Sequence, residues 1–595
     1  MLPNMRTTLT CLVATLLAGS ALQAQRITPQ LWKEWEDREI RMERLDPPLD
    51  PAPEFWSSTT IRGMVFLGAL DQLKPEGVEE LGVVVRAPEV LNTAAFRKQM
   101  WGFLGRNLDY ETMRAIQAET LLYLRDHYRP LVDVIYPEQD VTEGIIQIVV
   151  REAVVGKLEL RDPGSQTSPI TNKWANLDYI NKVIRLKPGS VVDTLTLEED
   201  LDWLTRNPYR EIAGQVTFSK GAGPQEADIY TSLRHRKPWD VYVGYDNTGS
   251  EATDMNRIYL GMAGGGVMGN LDNFGTYQFI ADPELKHLKA HAASYTALLP
   301  WRHTLRVFGY YSDSSADVTE NNTVTGESYQ GSLRYEVPLP RIGRVQQSFQ
   351  LGVDYKHLGN TLEFGGTPVQ DSPWEVFQFN GAYVAYASDS IGRTVLTAEG
   401  FYSPGDVTSL NDQEAYDQVR RGSPPDYYLG RVQLDRWFEL PEGFYFRVRG
   451  AGQLASDQLL PSEQLGLGGR NSVRGFPERE VNTDQGWFAS AEFITPSWIG
   501  RRTGTTPTRY LDFTRDPETY EHGLFFVAFI DYGGGRNFNP QPDEEDRELA
   551  SVGGGVRYKF RRNVDLLFDY GSRIRESGFE ATTDTSFHIS ARVSY

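Results

Sequence analysis

Two short segments in the C-terminal third of the chain carry residues that could form a buried ion pair. Residues 468–476 read Gly-Gly-Arg-Asn-Ser-Val-Arg-Gly-Phe and place Arg474 in a glycine-bearing loop. Residues 529–533 read Phe-Ile-Asp-Tyr-Gly and place Asp531 on a segment with alternating polarity. An arginine and a carboxylate form charge-assisted, often bidentate pairs. Such a pair could pin the loop inside a wide β-barrel.

The region that must position this pair, residues 238–595, has the period-two pattern of β-strands. Its first strand-like segment carries an apolar face made of Trp239, Val241, Val243 and Tyr245. Its last one carries Phe587, Ile589, Ala591, Val593 and Tyr595. About 357 residues, with strands of ~10 plus connections, allow roughly 16 strands. Because an open sheet edge in hydrocarbon would leave backbone groups unpaired, we predict a closed transmembrane antiparallel β-barrel, with a soluble β-propeller as the alternative.

Composition restricts the class of protein. The chain has 595 residues, of which 40% are hydrophobic. No segment after the first twenty residues supplies the ~20 apolar residues of a spanning helix, so a helical membrane bundle is excluded. The 55 glycines and 12% aromatic residues suit a barrel in which two faces alternate. A formal charge of −20 argues against a nucleic-acid partner, which would require a basic surface.

The N-terminal 24 residues have the order of a secretory signal peptide. Arg6 precedes an apolar run from Leu9 to Ala18, and small residues end at Ala24. We therefore predict export, with residues 1–24 as the signal peptide and cleavage after Ala21 or Ala24. The single cysteine, Cys11, lies in this segment, so the mature chain would form neither a disulfide nor a thiolate metal site.

Residues 25–58 are predicted to form a helix on a tether. Thr28 and Pro29 provide a helix start, and one narrow apolar face follows, made of Leu31, Trp35, Met42 and Leu45. The four prolines between residues 46 and 53 cannot continue a helix and indicate an extended linker. A solvated peripheral helix is the plainer interpretation of the same pattern.

Two small α+β modules are predicted next, over residues 59–156 and 157–237. In the first, strand-like runs at 64–67, 83–85, 132–135 and 145–150 flank a helix that opens at Asp109. In the second, Thr196 and Glu199 are predicted to form a capping box at the start of a helix. Asn207 and Pro208 would stop that helix.

The remaining candidate sites are weak. His287 and His291 have the spacing of a helical zinc pair but lie in a strand-like region. The acidic run at residues 543–546 lacks the spacing of a calcium loop and is predicted to be an exposed loop. The sequence has no Gly-x-Ser-x-Gly motif. We therefore predict a protein that is not an enzyme and that requires neither a metal nor a cofactor.

The order and spacing of Val-Arg-Gly-Phe and Phe-x-Asp-x-Gly resemble the signature of outer-membrane two-partner secretion transporters. These are the hemolysin and filamentous-hemagglutinin secretion and activation family, relatives of the barrel-assembly insertases. The two α+β modules resemble the POTRA modules that precede such barrels. The stretch from Pro137 to Asp140 is similar to the Pro-x-Gln-Asp segment of the first of them.

The resemblance implies roles for individual residues. In the family, the loop with Val473, Arg474, Gly475 and Phe476 would fold into the lumen, and its arginine would meet the wall motif of Phe529, Asp531 and Gly533. Gly475 would permit the tight loop tip, and Phe476 would pack on the inner wall. The helix within residues 25–58 would plug the pore. The terminal Tyr595, with Phe587, resembles the C-terminal signal that assembly machinery reads.

The resemblance also implies a function and a location. The barrel would lie in the outer membrane of a Gram-negative bacterium, in contact with its lipid and placed there by the barrel-assembly machinery. The POTRA modules would receive an unfolded exoprotein in the periplasm, although they could also be mere spacers. One alternative function is an insertase that assembles other barrels, which usually has more modules. Another is a passive pore without a protein client.

Overall fold

The computed structural model describes residues 56–163, 170, 173–212, 216–250, 253–267, 272–319, 322–364, 367–499, 522–540, 544, 546–561, 563–576 and 585–595. The predicted signal peptide and nearly all of the predicted N-terminal helix and linker therefore lie outside the described residues. The described chain divides into two units, and the boundary between them along the sequence falls between Lys237 and Pro238. None of the helices within the described ranges is long and apolar enough to cross a membrane.

The first module is a four-stranded sheet covered by two helices. Its elements are β1 (Trp56–Thr60), β2 (Gly63–Leu67), β3 (Gly82–Val85), α1 (Ala94–Trp101), β4 (Asn107–Asp109), α2 (Tyr110–Asp126), β5 (Val132–Ile135) and β6 (Ile145–Glu152). The sheet order is β3-β2-β6-β5, and β1 pairs with β4 separately. The central strand β6 begins with six buried residues, because both of its faces are covered. As predicted, Asp109 caps α2 by accepting a hydrogen bond from the Thr112 amide (2.8 Å).

The second module repeats the α+β plan with a different strand order. Its elements are β7 (Val154–Arg161), α3 (Leu177–Val183), α4 (Thr194–Thr205), β8 (Arg210–Ile212), β9 (Thr217–Lys220) and β10 (Glu226–His235). The sheet order is β7-β10-β8, with β9 also pairing with β10. The predicted capping box is wrong. Asp193 caps α4 by accepting from the amides of Leu195 and Thr196, because a carboxylate at this position competes better for those amides than a residue inside the helix.

The barrel unit contains the remaining elements. These are β11 (Trp239–Asp246), β12 (Arg257–Gly265), β13 (Phe274–Ala281), β14 (Leu288–Leu298), β15 (Thr304–Thr319), β16 (Asn322–Ile342), β17 (Val345–Leu358), β18 (Thr361–Phe364), β19 (Thr367–Asp371), β20 (Trp374–Asp389), β21 (Gly392–Pro404), α5 (Gln413–Val419), β22 (Asp426–Glu439), β23 (Tyr445–Ala455), β24 (Leu465–Leu467), β25 (Val481–Thr483), β26 (Gln485–Ile494), β27 (His522–Arg536), β28 (Arg547–Phe560), β29 (Val564–Glu576) and β30 (Thr585–Ser594).

Sixteen of the described strands close an antiparallel barrel, as predicted. The order runs from β11 to β30, and β11 pairs with β30 to complete the ring. Because β17 pairs directly with β20, the β18–β19 hairpin only extends one end of the wall. The strands β24 and β25 form a separate two-stranded ribbon.

The outer face of the barrel is apolar, as the period-two pattern predicts. Its exposed side chains include Val241, Val243, Leu260, Met262, Leu351 and Leu454. The opposite face is mostly buried and polar, with residues such as Gln378, Asp531 and Asp569. Closure satisfies the backbone groups within the sheet, and the alternation presents hydrocarbon-compatible side chains outward.

Candidate functional site

A long connection between β23 and β26 supplies the candidate site. We name residues 456–484 the re-entrant loop, because it contacts side chains on the inner face of the barrel wall. The ribbon of β24 and β25 forms its two arms, with Leu465 opposite Thr483. Gly475 has a φ of +88°, a conformation that residues with a side chain rarely adopt. Gly475, which was expected at the loop tip, therefore has a backbone conformation that favours glycine.

Arg474 is the centre of the loop tip, and its side chain is about 1% exposed. Its Nε donates to Asp531 Oδ2 (2.7 Å), and its Nη2 donates to Asp531 Oδ1 (2.8 Å). The backbone amide of Arg474 also donates to Asp531 Oδ2 (3.0 Å). The guanidinium and the backbone amide of Arg474 thus bind the same Asp531 carboxylate, which fixes both the position of the side chain and the path of the backbone.

Three further wall residues, which the sequence analysis did not identify, complete the environment of Arg474. Its Nη1 donates to Glu492 Oε1 (2.6 Å), and its Nη2 donates to Ser490 Oγ (3.0 Å). Asp569 Oδ2 lies 3.7 Å from Nη1. Ser490 and Glu492 are alternate residues of β26 and therefore lie on the same face of that strand. Two polar residues at this spacing were the signal in the sequence that could have indicated their place on the inner face.

The charges around Arg474 are nearly balanced by neighbouring arginines. Arg557 forms a bidentate pair with Asp569 (2.6 and 2.8 Å). Arg447 lies 3.4 Å from Glu492 and also pairs with Asp435. Because buried charges are tolerated when they are paired and hydrogen-bonded, this network can persist inside the wall. We name Arg474, Asp531, Glu492 and Ser490 the tip centre.

The two sequence motifs also interlock through apolar and aromatic contacts. The guanidinium carbon of Arg474 lies 3.5 Å from the ring centroid of Phe529. Phe476 is fully buried in a cluster with Val473, Val481 and Leu549. These contacts place Val473, Arg474 and Phe476 against the wall or against the loop itself.

The loop tip also contacts the last two strands. The Gly475 amide donates to His588 Nε2 on β30 (3.3 Å), and Arg573 Nε on β29 donates to the Gly475 carbonyl (2.9 Å). A Cβ on Gly475 would stand 3.1 Å from the backbone of Gly571. The tip is therefore packed closely against the wall next to the β11–β30 seam.

The other half of the re-entrant loop is fixed to a different part of the wall. Lys356 Nζ on β17 donates to Glu463 Oε1 (2.7 Å), and both side chains are almost fully buried. Arg431 Nη2 on β22 donates to the Glu463 carbonyl (2.8 Å). Counted along the barrel, β17 stands six strands from β27. The loop therefore connects two distant parts of the wall.

The predicted C-terminal residues lie on the outward face and at the seam. Phe587 is 54% exposed and Tyr595 is 78% exposed. Tyr595 exchanges backbone hydrogen bonds with Val241, and its ring lies 6.0 Å from that of Trp239. These positions bring Tyr595 to the strand pairing that closes the barrel, while Phe587 lies further along β30.

The weaker candidates occupy separate places. His291 Nδ1 lies 2.8 Å from the Tyr277 hydroxyl, and His287 Nδ1 lies 3.1 Å from the Ser315 carbonyl. Within the described ranges, no group of three or more His, Cys, Asp and Glu side chains could hold a metal ion. The acidic run is not simply an exposed loop, since Glu544 forms an ion pair with the buried Arg420 (2.6 Å).

Comparison with known proteins gives concordant results. The family model described as haemolysin secretion/activation protein ShlB/FhaC/HecB matches residues 225–558. The heme/hemopexin transporter protein HuxB of Haemophilus influenzae strain 86-028NP is 20% identical over 535 residues, which cover 88% of this chain and 87% of HuxB. The outer membrane transporter CdiB of Escherichia coli O6:K15:H31 is 24% identical over 378 residues, 61% of this chain and 59% of CdiB.

A solved structure of CdiB from Escherichia coli has a TM-score of 0.73 and 15% identity, and the match covers 97% of this chain and 98% of that one. The likeness extends through the two modules and the barrel, so both the POTRA modules and the barrel of the predicted architecture are present. The expected location in the outer membrane of a Gram-negative bacterium agrees with the family. With a family model that matches more than half of its length, this chain belongs to the haemolysin secretion/activation proteins of the ShlB/FhaC/HecB family, the two-partner secretion transporters.

Proposed function

We propose that this chain receives one unfolded exoprotein in the periplasm and passes it outward through its barrel. The observation that carries the proposal is the re-entrant loop, which is bound to the inner face of the barrel wall by the tip centre and by Lys356. A loop that crosses the lumen obstructs a passive pore, whereas a transporter needs a closed state between clients. The periplasm supplies no ATP, so folding of the client outside would give the transport its direction.

Client recognition is proposed to occur at the edge of the first POTRA module. Within the described chain β3 pairs only with β2, so its other edge is available for an added strand. Two large apolar side chains near this edge, Leu81 and Trp101, are 60% and 61% exposed. Main-chain hydrogen bonds to β3 would demand little of the client sequence, and the exposed aromatic ring would select apolar segments.

The recognition proposal is tested by Trp101→Ala in the full chain. We expect reduced secretion of the client with unchanged amounts of folded barrel, because an exposed side chain contributes little to stability. Leu122→Ala is a matched control, since Leu122 is 51% exposed on α2 of the same module. Equal secretion by the Trp101 variant and the control would remove this surface from the proposal.

The overall function is tested by comparing culture supernatants and outer-membrane fractions of wild-type and deletion strains. Loss of one large secreted protein, with other outer-membrane barrels unchanged, is the expected result. Broad depletion of outer-membrane barrels would instead establish an insertase. If neither fraction changes, the proposal of a dedicated client fails and a passive pore becomes the better description.

A further inference from the structure

A second buried arginine lies far along the chain from the tip centre. Arg420 directly follows α5 in the connection between β21 and β22, and its side chain is about 1% exposed. Nε and Nη2 donate to the two oxygens of Glu544 (2.8 and 2.6 Å). Nη1 and Nη2 donate to the two oxygens of Asp484 (2.6 and 3.1 Å). Nη1 also donates to the Leu459 carbonyl (2.7 Å), so all five guanidinium N–H groups are used.

The partners of Arg420 belong to two other connections at the same end of the barrel. Leu459 and Asp484 lie near the two ends of the re-entrant loop, and Glu544 lies between β27 and β28. In an antiparallel barrel these connections face away from the end at which the chain enters β11. With the POTRA modules in the periplasm, this end is the outer mouth. The Arg420 side chain therefore links three outer connections: its own between β21 and β22, the re-entrant loop, and the one between β27 and β28.

Asp484, at one end of the re-entrant loop, binds residues near its other end, and we name these two ends, residues 456–464 and 481–484, the stems. Its carboxylate accepts hydrogen bonds from the Leu459 amide (3.0 Å) and from Gln464 Nε2 (3.1 Å). It also accepts from the Phe538 amide (2.9 Å), which belongs to the β27–β28 connection. A carboxylate with this many donors is fully buried at low cost only while Arg420 supplies the opposite charge.

We propose that Arg420, Asp484 and Glu544 form a stem lock that positions the re-entrant loop at the outer mouth independently of the tip centre. The tip centre fixes residues 473–476 to the wall, and the stem lock fixes the entry and exit of the same loop to its neighbours. A role of loop release in transport rests on the proposed function. The outer mouth opens when the stem lock is broken, whether or not the tip remains bound.

The stem lock is tested by the accessibility of single cysteines in the purified full-length protein. Ser462 is buried in the stem, and its hydroxyl makes no hydrogen bond to a described residue, so Ser462→Cys is a mild reporter. Ser472→Cys reports on the tip, where the hydroxyl lies 2.7 Å from the Gly468 carbonyl. The predicted mature chain contains no other cysteine. The rate of reaction with a charged maleimide then measures opening at each place.

Arg420→Gln is expected to raise the labelling rate at Ser462→Cys by about tenfold or more, with a much smaller change at Ser472→Cys. Glu544→Gln is expected to act in the same direction. Its side chain is 21% exposed, so this variant decides the question if Arg420→Gln does not fold. Arg436→Gln is the control, because Arg436 pairs with Asp389 within the wall (2.8 Å) and holds no outer loop.

An unchanged labelling rate at Ser462→Cys in the folded variants would overturn the stem lock. Equal increases at both reporters, or the same increase in the Arg436 control, would also overturn it, because they indicate general loosening of the barrel. The assay contains no client. A failed stem lock is therefore distinguishable from a failed transport function, which only the secretion comparison reports.

Discussion

Val473 of the re-entrant loop and two residues of the neighbouring strand β26 together crowd the position that a Cβ on Gly533 would take. That Cβ would lie 3.1 Å from Cγ2 of Val473, 3.0 Å from Cβ of Phe488 and 3.1 Å from the Trp487 carbonyl oxygen, closer than most such contacts in proteins. The glycine that ends the wall motif and the valine that begins the loop motif are thus complementary. The two motifs meet through shape at this point and through charge at Arg474 and Asp531.

Substitution of Gly533 should therefore loosen the tip without preventing barrel closure. We expect Gly533→Ala to raise the labelling rate of Ser472→Cys modestly and Gly533→Val to raise it strongly, because the larger side chain presses on Val473 as well as on β26. Gly331→Ala is the matched control, since nothing lies within 4 Å of its added Cβ. Equal labelling in the Gly533 variants and the control would contradict this packing.

Glu492 should contribute to holding the tip, although it belongs to neither sequence motif. It is 5% exposed and receives a hydrogen bond from Arg474 Nη1. We expect Glu492→Gln to weaken the tip by less than Asp531→Asn does, because Asp531 accepts three hydrogen bonds from Arg474.

A double-mutant cycle between Arg474→Gln and Glu492→Gln, read by tip labelling, measures the coupling directly. A coupling close to zero would show that the contact in the wall has no energetic effect. Arg474→Lys should behave like Arg474→Gln, because one ammonium group cannot reach the acceptors that the planar guanidinium joins.

Substitution of Lys356 should destabilise the protein, because Lys356 forms a buried ion pair with Glu463. Lys356→Met leaves Glu463, about 1% exposed, without its cation, and the expected loss is ~3–5 kcal/mol. The double variant Lys356→Met with Glu463→Leu should recover most of that loss, because no uncompensated charge remains. Thermal unfolding of the barrel, followed by its heat-dependent mobility on gels, measures the effect.

The matched comparison is Arg436→Met, since its partner Asp389 is 44% exposed and can be solvated. We expect at most about 1 kcal/mol for this variant. If both substitutions cost the same, burial is not what makes the Lys356 pair important.

The second POTRA module should lose stability in acid through His235. Burial, and then the positive charge of Arg210 at 3.2 Å, lower the pKa of His235 to about 4. The unfolded chain would bind a proton near pH 6.5. Between these values the unfolded state holds more protons, so the stabilisation is complete above about pH 6.5 and decreases as the pH falls towards 4, by at most about 3 kcal/mol.

Protease cleavage within residues 157–237 of the full chain, measured from pH 7 to pH 4, checks this expectation. His235→Gln should flatten the pH dependence, because it removes the titrating group but keeps a polar side chain. An unchanged slope in this variant would assign the acid sensitivity to other residues.

Local patterns in the sequence were sufficient to predict much of the fold. The alternation at Trp239, Val241 and Val243 predicted a membrane-facing strand, and these side chains are exposed on the outer face. Asp109 was predicted to start a helix and caps α2. The pairing of Arg474 with Asp531 could be anticipated because both residues lie in recognisable motifs, although their separation of 57 residues carries no local signal.

Contacts between residues that are far apart along the chain could not be predicted. Glu492 on β26 and Asp569 on β29 both approach Arg474, although β27 and β28 separate these two strands in the ring. The polar face of β26 can be seen in the sequence, but nothing local shows that Arg474 lies against it. Arg420 was overlooked for the same reason, since its partners lie 64 and 124 residues away. The capping box at Thr196 was wrong because Asp193, a stronger cap, precedes it.

Secretion by a deletion strain that carries Arg474→Ala tests most directly whether the tip centre is required for transport. We expect a normal amount of folded, outer-membrane barrel and a large loss of the secreted client, because the loop is no longer held at Asp531. Arg436→Ala, which alters a wall arginine away from the loop, should secrete normally. Secretion at the wild-type level by the Arg474 variant would contradict the central role of the tip centre.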